Sequence, residues 1–295
     1  MGWKKNINLL NEPLMKILKT NQKILNWTKN RNANKTIGFV PTMGDLHQGH
    51  LSLIQRSKKE NDLTVVSIFI NPKQFDKKED FLKYYKNNAT DITQLKKIQA
   101  DILFIPYEKN LYPPHFQTRV EVAALSQPLC GSFRKDHFHG VATIVLKLFN
   151  LVQPHHVYFG LKDFQQFRLI EQMVKDLNLN IKIIPCPIVR EKDGLALSSR
   201  NRRLSNSERN RASSIYRALT FCANQIKLKK NISISDLNKH FSENLNLKNS
   251  DKMEYFNCVD PVHLSNLNTA QSPCLLACAV WIGNTRLIDN IWIKK

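Results

Sequence analysis

The residues best suited to chemistry begin in Thr36-Ile-Gly-Phe-Val-Pro-Thr-Met-Gly-Asp-Leu-His-Gln-Gly-His50. Ile37 to Val40 is a short apolar run, Pro41, Gly44 and Gly49 punctuate a turn, and His47 and His50 stand where an amphipathic segment begins. A strand, a glycine turn and a helix start leave backbone N–H groups and the positive end of a helix dipole facing an anion. Two imidazoles at that place can donate hydrogen bonds to phosphate oxygens, so a nucleotide-phosphate site is the first expectation. Core packing, or half of a metal site from the i,i+3 spacing, are the other uses of the same pair. Further polar groups follow later apolar runs: Asn71 and Gln74, then Gly160, Lys162, Asp163 and Gln166, then Ser198, Ser199 and Arg200. On spacing alone these are also ordinary loop residues and first turns of helices.

The elements that must position these groups alternate. Apolar spacing in the first thirty residues (Leu14, Ile17, Leu18, Ile24, Leu25) predicts a helix feeding the strand at 37–40. Short β-branched runs predict buried strands at 63–70, 101–106, 157–160 and 181–189, with helical spacing at 48–59, 79–100, 138–152 and 164–177 between them. A short strand is expected near Arg119 to Val122. Strands alternating with helices imply an α/β fold, a Rossmann-like doubly wound parallel sheet with ligands at the carboxyl ends of its strands. The loops 41–50, 71–75 and 160–166 would then share one edge. After Arg190 the texture changes. Ser205-Asn-Ser-Glu208 is a capping-box pattern that opens a helix to about Leu228, a second helix runs from Ser235 to Leu245, and strands follow at 252–259, 274–282 and 287–293. The expected division is 1–188, binding nucleotide and substrate, and 189–295, a smaller α+β domain.

Whole-chain properties bound the function. A chain of 295 residues with 42% hydrophobic and 23% charged residues is expected to be globular. The net charge of +20 raises nucleic acid as a partner, but the lysines are spread along the chain and no basic block stands out, so no nucleic-acid partner is expected. No apolar run reaches the length of a membrane span, and the N-terminus lacks the apolar stretch of a signal peptide. The six cysteines form no Cys-x-x-Cys pair and several lie in apolar runs, which points to reduced, buried thiols and a cytoplasmic protein.

Taken together, Pro41-Thr-Met-Gly with Leu46-His-Gln-Gly-His50, Ser67-Ile-Phe-Ile-Asn-Pro-Lys-Gln-Phe75, Lys162-Asp-Phe-Gln-Gln166 and Asp193-Gly-Leu-Ala-Leu-Ser-Ser-Arg-Asn201 resemble the pantothenate synthetase family. That family lies within the wider His-x-Gly-His nucleotidylyltransferase group. The resemblance is collinear from about residue 36 to the end and includes Trp281-Ile-Gly-Asn-Thr-Arg-Leu-Ile-Asp-Asn290. It implies ATP-dependent joining of (R)-pantoate to β-alanine through pantoyl adenylate, with Mg²⁺ and a homodimeric enzyme. It assigns Met43, Gly44, Asp45, Leu46, His47, Gln48, Gly49 and His50 to ATP, together with Gly160, Leu161, Lys162, Asp163, Val189, Leu197, Ser198, Ser199 and Arg200. The catalytic set it implies is His47, His50, Lys162, Ser198, Ser199 and Arg200, with His50 as the proton donor. Gln74 would bind pantoate and β-alanine, Gln166 pantoate, and Asp163 either the ribose or Mg²⁺. Ser198 to Arg200 would arrive from the smaller domain as a lid.

Three departures accompany the match. Leu161 stands where Glu is usual, Lys73 where an apolar residue is usual, and His139 where Arg is usual. The other enzyme reading is a related adenylate-forming ligase acting on a different small acid. The binding-protein reading is a basic RNA-associated chain with a decayed nucleotide fold.

Overall fold

The computed structural model describes residues 15–294 apart from 77, 83, 85–87 and 230. Six strands, β1 (Lys16–Leu18), β2 (Ile37–Thr42), β3 (Leu63–Ile68), β4 (Ile102–Phe104), β5 (His156–Gly160) and β6 (Lys182–Cys186), form one sheet in the order β1-β4-β3-β2-β5-β6. Every pairing in it is parallel. Parallel sheets are covered on both faces, which is why β2 and β3 are mostly apolar and buried nearly throughout, Thr42, Thr64 and Ser67 included. Ile37, Phe39 and Val65 point into one core, while Val40, Val66 and Ile68 point into the other.

The covering helices are α1 (Asn21–Asn30), α2 (Gln48–Glu60), α3 (Lys78–Leu82), α4 (Asn88–Lys97), α5 (Glu108–Leu111), α6 (His137–Val152) and α7 (Phe164–Asp176). Helices α1, α6 and α7 cover the first face; α2 and α4 cover the second. The sheet order reverses direction at β2, so β3 and β5 flank it. A crevice opens at such a switch point beyond the carboxyl ends of the strands. The segments after β2 and β5 are 43–47 and 161–163, within two of the stretches that carry the candidate chemistry.

Beyond β6 the chain builds a smaller unit. Helices α8 (Asn206–Ala212), α9 (Ser214–Leu228) and α10 (Ile234–Asn244) accompany the two-stranded pair β7 (Ile232–Ser233) and β9 (Thr269–Ala270). An antiparallel sheet of β8 (Lys252–Val259), β10 (Cys274–Ile282) and β11 (Thr285–Ile293) runs in the order β11-β10-β8. One face, with Leu276, Cys278, Val280, Leu287 and Ile293, packs on α9 and α10. The other, with Leu275, Ala277, Ile288 and Trp292, packs on the first core. Period-2 alternation therefore fastens this sheet to both units.

Several expectations are corrected. Residues 16–18 are a strand, not part of the N-terminal helix, and α1 starts at Asn21 behind the Thr20 cap; Leu14 lies outside the described residues. The helical spacing at 79–100 resolves into α3 and α4, with Tyr85 among the residues not described. Residues 119–122 form no strand; the Val120 N–H donates instead to the Thr143 hydroxyl. Strand β6 ends at Cys186, short of Val189. The capping box at Ser205 and Glu208 is present, but its helix breaks at Ser213 into α8 and α9.

Candidate active site

A cleft of about 900 Å³ opens where the switch point meets the smaller unit. Its wall is built from the 41–50 turn, the 71–75 turn, the start of α7, residues 187–189 and residues 195–203.

The first wall starts at Gly44, whose φ of +84° is a conformation that side chains rarely adopt. A Cβ there would also come within 3.0 Å of an Asp91 carboxylate oxygen. That carboxylate, buried on α4, accepts from the N–H groups of Asp45 and Leu46, both at 2.9 Å, and so fixes the turn. His47 then caps α2. Its Nδ1 accepts from Gly49 N–H at 3.1 Å, and Nδ1 of His50 accepts from the His47 N–H at 3.3 Å. Each ring thereby carries its proton on Nε2 when neutral. The two rings lie 4.1 Å apart, centroid to centroid.

Electrostatics fix their charge state. Burial, then the Lys162 charge, lowers His47 to about 4; burial, then His47 and Lys162, lowers His50 to about 3. Both are neutral N–H donors near pH 7, in keeping with two imidazoles that donate hydrogen bonds. His137 is neutral for the same leading reason, burial, at about 3. The sign for stability follows. An unfolded histidine takes up its proton near pH 6.5, whereas these three remain unprotonated to about pH 4 or below. Stability is therefore full above 6.5 and falls as pH drops toward 4, by at most about 1.4 kcal/mol per pH unit for each of these part-buried histidines. Denaturant titrations at pH 7 and pH 5 are expected to show this loss, and equal stabilities would contradict the neutral-histidine assignment.

The second wall is the turn Pro72–Gln74, capped by Asn71. Asn71 is buried and donates to Gln74 Oε1 at 3.1 Å and to the Gly140 carbonyl at 3.0 Å, while accepting from the Tyr112 hydroxyl at 2.9 Å. Gln74 Nε2 lies 2.8 Å from the Met43 sulfur. With its oxygen held by Asn71, Gln74 presents amide N–H to a bound acid. The backbone carbonyl of Gln74 accepts from His137 Nδ1 at 2.8 Å and from Arg134 at 3.1 Å. Helix α6 approaches this turn so closely that a Cβ on Gly140 would meet the Lys73 carbonyl oxygen at 2.1 Å. Of the departures, Lys73 points to the Tyr112 and Phe116 rings, at 5.2 and 5.6 Å. His139 lies off the cleft, with Nε2 4.0 Å from Glu121 and Nδ1 buried with no hydrogen-bond partner among the described residues.

The third wall follows β5. Lys162 and Asp163 reach the cleft with Nζ and Oδ1 3.7 Å apart. Asp163 occupies the cap position of α7 yet makes no cap hydrogen bond, which leaves its half-exposed carboxylate for other work. Gln166 and Gln165 both border the cleft, and Gln165, largely buried, ties down the 125–130 loop through Leu125, Pro128 and Cys130.

The smaller unit closes the last side. Ser198 caps the turn Ser199–Arg203, its hydroxyl accepting from the Arg200 N–H. The Ser199 hydroxyl donates to the Asp45 carbonyl at 3.2 Å and bonds the Tyr84 hydroxyl. Arg202 pairs with the Asp45 carboxylate at 2.6 Å. The 199–203 turn is thus docked on the histidine turn.

Met43, His47, Gly49, His50, Gln74, Gly160, Lys162, Asp163, Gln166, Val189, Leu197, Ser198, Ser199 and Arg200 all line the cleft. Five expected ATP contacts do not. Leu46 is a core residue, Gly44 and Asp45 are buried in the turn, Gln48 points to solvent, and Leu161 packs on the first core. Sequence reasoning gave no role to Asp91, Tyr84, His137 or Arg202, all of which act through partners far along the chain.

Residues 16–292 match the model of the family described as Pantoate-beta-alanine ligase. The chain belongs to the pantoate–β-alanine ligase family. A pantothenate synthetase of Thermotoga petrophila is 45% identical over 277 residues, covering 94% of this chain and 99% of that protein. One from Sulfurihydrogenibium is 50% identical over 263 residues, 88% of this chain and 93% of its own. Among solved structures, pantothenate synthetase of Thermus thermophilus superposes with a TM-score of 0.89 at 36% identity, covering 95% of this chain and all of that one. The pantoate-beta-alanine ligase of Francisella tularensis, complexed with beta-gamma ATP and beta-alanine, gives 0.78 at 35% identity, covering 94% of this chain and 97% of that one. Membership in this ligase family agrees with a cleft that gathers imidazole, ammonium and hydroxyl groups on one side and a buried amide pair on the other.

Proposed function

We propose that the chain condenses (R)-pantoate with β-alanine using ATP, releasing AMP and diphosphate. The observation that carries this reading is the meeting of two chemistries in one cleft. The N–H donors of His47 and His50, the Lys162 ammonium and the Ser198–Arg200 turn suit a polyphosphate. The Asn71-anchored Gln74 amide and Gln166 suit a hydroxy acid.

In the first step a pantoate carboxylate oxygen bonds the α-phosphorus and diphosphate leaves. In the second the β-alanine nitrogen bonds the acyl carbon, AMP leaves, and the nitrogen loses a proton. Neither step needs a nucleophile from the protein. The chain positions the reactants and supplies donors where negative charge builds.

Among the described residues no cluster of three or more metal-ligating side chains occurs. Asp163 alone, half-exposed and without a capping bond, fits Mg²⁺ held mainly by the ATP phosphates. The ion would neutralise phosphate charge there. In this reading residues 1–188 hold the substrates, 189–295 form the lid, and the enzyme is a cytoplasmic homodimer. The six free, buried cysteines support a reducing compartment, and among the described residues no helix is long and apolar enough to cross a membrane.

The test is a coupled AMP assay with purified protein, ATP, Mg²⁺, pantoate and β-alanine. Sustained AMP release is expected only when both acids are present. Turnover with another small acid in place of pantoate, and none with pantoate, would move the chain to a different adenylate-forming activity.

A further inference from the structure

The C-terminal motif ending Leu287-Ile-Asp-Asn290 has no part in the chemistry above, yet it reaches the phosphate wall. Alternation along β11 sends consecutive side chains to opposite faces. Asp289, buried toward the smaller unit, accepts two hydrogen bonds from the Arg190 guanidinium, at 2.6 and 2.9 Å. That guanidinium lies 3.8 Å from the Tyr216 ring centroid and also donates to the Asn290 carbonyl at 3.4 Å. Asn290 faces the other way, opposite the small Ala277 of β10. Its side-chain nitrogen has two protons, and it donates to two successive carbonyls, Leu161 at 2.9 Å and Lys162 at 3.0 Å.

We propose that Asn290 is a positioning residue for Lys162: its carboxamide clamps the turn Leu161–Asp163 and aims the lysine into the phosphate half of the cleft. The two carbonyls belong to a turn with no side-chain cap of its own, since neither Gly160 nor Asp163 makes a cap hydrogen bond. The carboxamide comes from a sheet of the smaller unit, so the aim of Lys162 depends on that sheet staying seated. The bidentate Asp289–Arg190 pair holds the strand from behind. Leu161 fits the same scheme: its side chain goes to the core and its carbonyl to Asn290, so the family's usual glutamate is not needed for the clamp.

This inference rests on the ATP-dependent reading, and a double-mutant cycle separates the two. Asn290→Ala, Asn290→Asp, Lys162→Ala and the Asn290→Ala/Lys162→Ala pair are assayed for pantoate-dependent diphosphate release, with thermal melts as a check on folding. Asn290→Ala is expected to lower kcat about tenfold or more and leave KM for pantoate unchanged. In the Lys162→Ala background the same change should cost less than twofold, because the residue it positions is gone. Asn290→Asp keeps the volume but turns a carboxylate toward two carbonyl oxygens, so it should be at least as slow as the alanine variant. Equal losses in both backgrounds, or Asn290→Asp at the wild-type rate, would overturn the clamp. Should the alanine variant melt early, Asn290→Ser, which keeps one donor, supplies the comparison and should fall between wild type and Asn290→Asp. No turnover by the wild-type chain would instead count against the ligase reading itself.

Discussion

Lys162→Met is expected to lower kcat for diphosphate release by about 10²–10³-fold, the range for removing one preorganised donor from a site of developing negative charge. The substitution keeps an unbranched apolar stem as far as Cε and removes the ammonium. Lys162 is largely buried, and the charged partner within salt-bridge distance, Asp163, is half-exposed at 3.7 Å. The pairing is loose enough that a polyphosphate can take the ammonium without breaking a buried ion pair. Methionine leaves no uncompensated buried charge, so the melting temperature should hold while the rate falls. Lys162→Arg should recover only part of the rate, because a planar fork does not occupy the place of a point charge. A second signature needs no substrate. The Lys162 charge is among the causes that hold His47 and His50 unprotonated, so both imidazoles should titrate at higher pH in Lys162→Met. Proton NMR of the ring resonances reads this directly. A rate within threefold of wild type together with unmoved imidazoles would remove Lys162 from the phosphate wall.

How much of this was readable beforehand depends on where each residue finds its partners. Ile37–Thr42 and Leu63–Ile68 were legible because strands buried on both faces are continuous apolar runs. Lys16–Leu18 was not. It is a three-residue edge strand, and Ile17 and Leu18 share a helical period with Ile24 and Leu25; its pairing with Ile102–Phe104 is a contact no local pattern contains. Arg119–Val122 alternates like a strand, but no neighbour pairs with it among the described residues, and its Val120 N–H goes to a side chain.

The site divides in the same way. Residues that line the cleft sit in compact motifs, so His47, His50, Lys162 and Ser198–Arg200 are legible in the sequence. Not every residue of 43–50 lines the cleft. A turn must bury some of its own members to hold its shape, and Leu46 in the core is the anchor that lets His47 face the cleft. The supporting groups were invisible for the opposite reason. Asp91 holds backbone 45 and 46 residues upstream, and Asn290 holds carbonyls 128 and 129 residues upstream. Neither spacing has a periodicity to read.

The second large effect separates the two tasks of His50. Its Nδ1 closes the capping box with the His47 N–H, and its Nε2–H is the donor that the proposed function gives to phosphate. Alanine removes both, so a slow His50→Ala variant leaves the cause undecided between a frayed α2 and a missing donor. Glutamine serves as the third helical residue of a capping box. His50→Gln therefore keeps an acceptor for the His47 N–H but leaves no imidazole Nε2–H in the cleft. It is expected to melt within a few degrees of wild type and to form diphosphate about 10²–10³-fold more slowly. His50→Ala should be as slow and also less stable, by about 1 kcal/mol for the lost cap. The comparison decides between two roles. If glutamine restored the rate along with the stability, His50 would be a helix cap that happens to border the cleft. If glutamine restores the stability alone, the imidazole acts on the substrate. With a resting value of about 3, it acts there as a neutral donor whose affinity for a proton rises only when phosphate charge arrives.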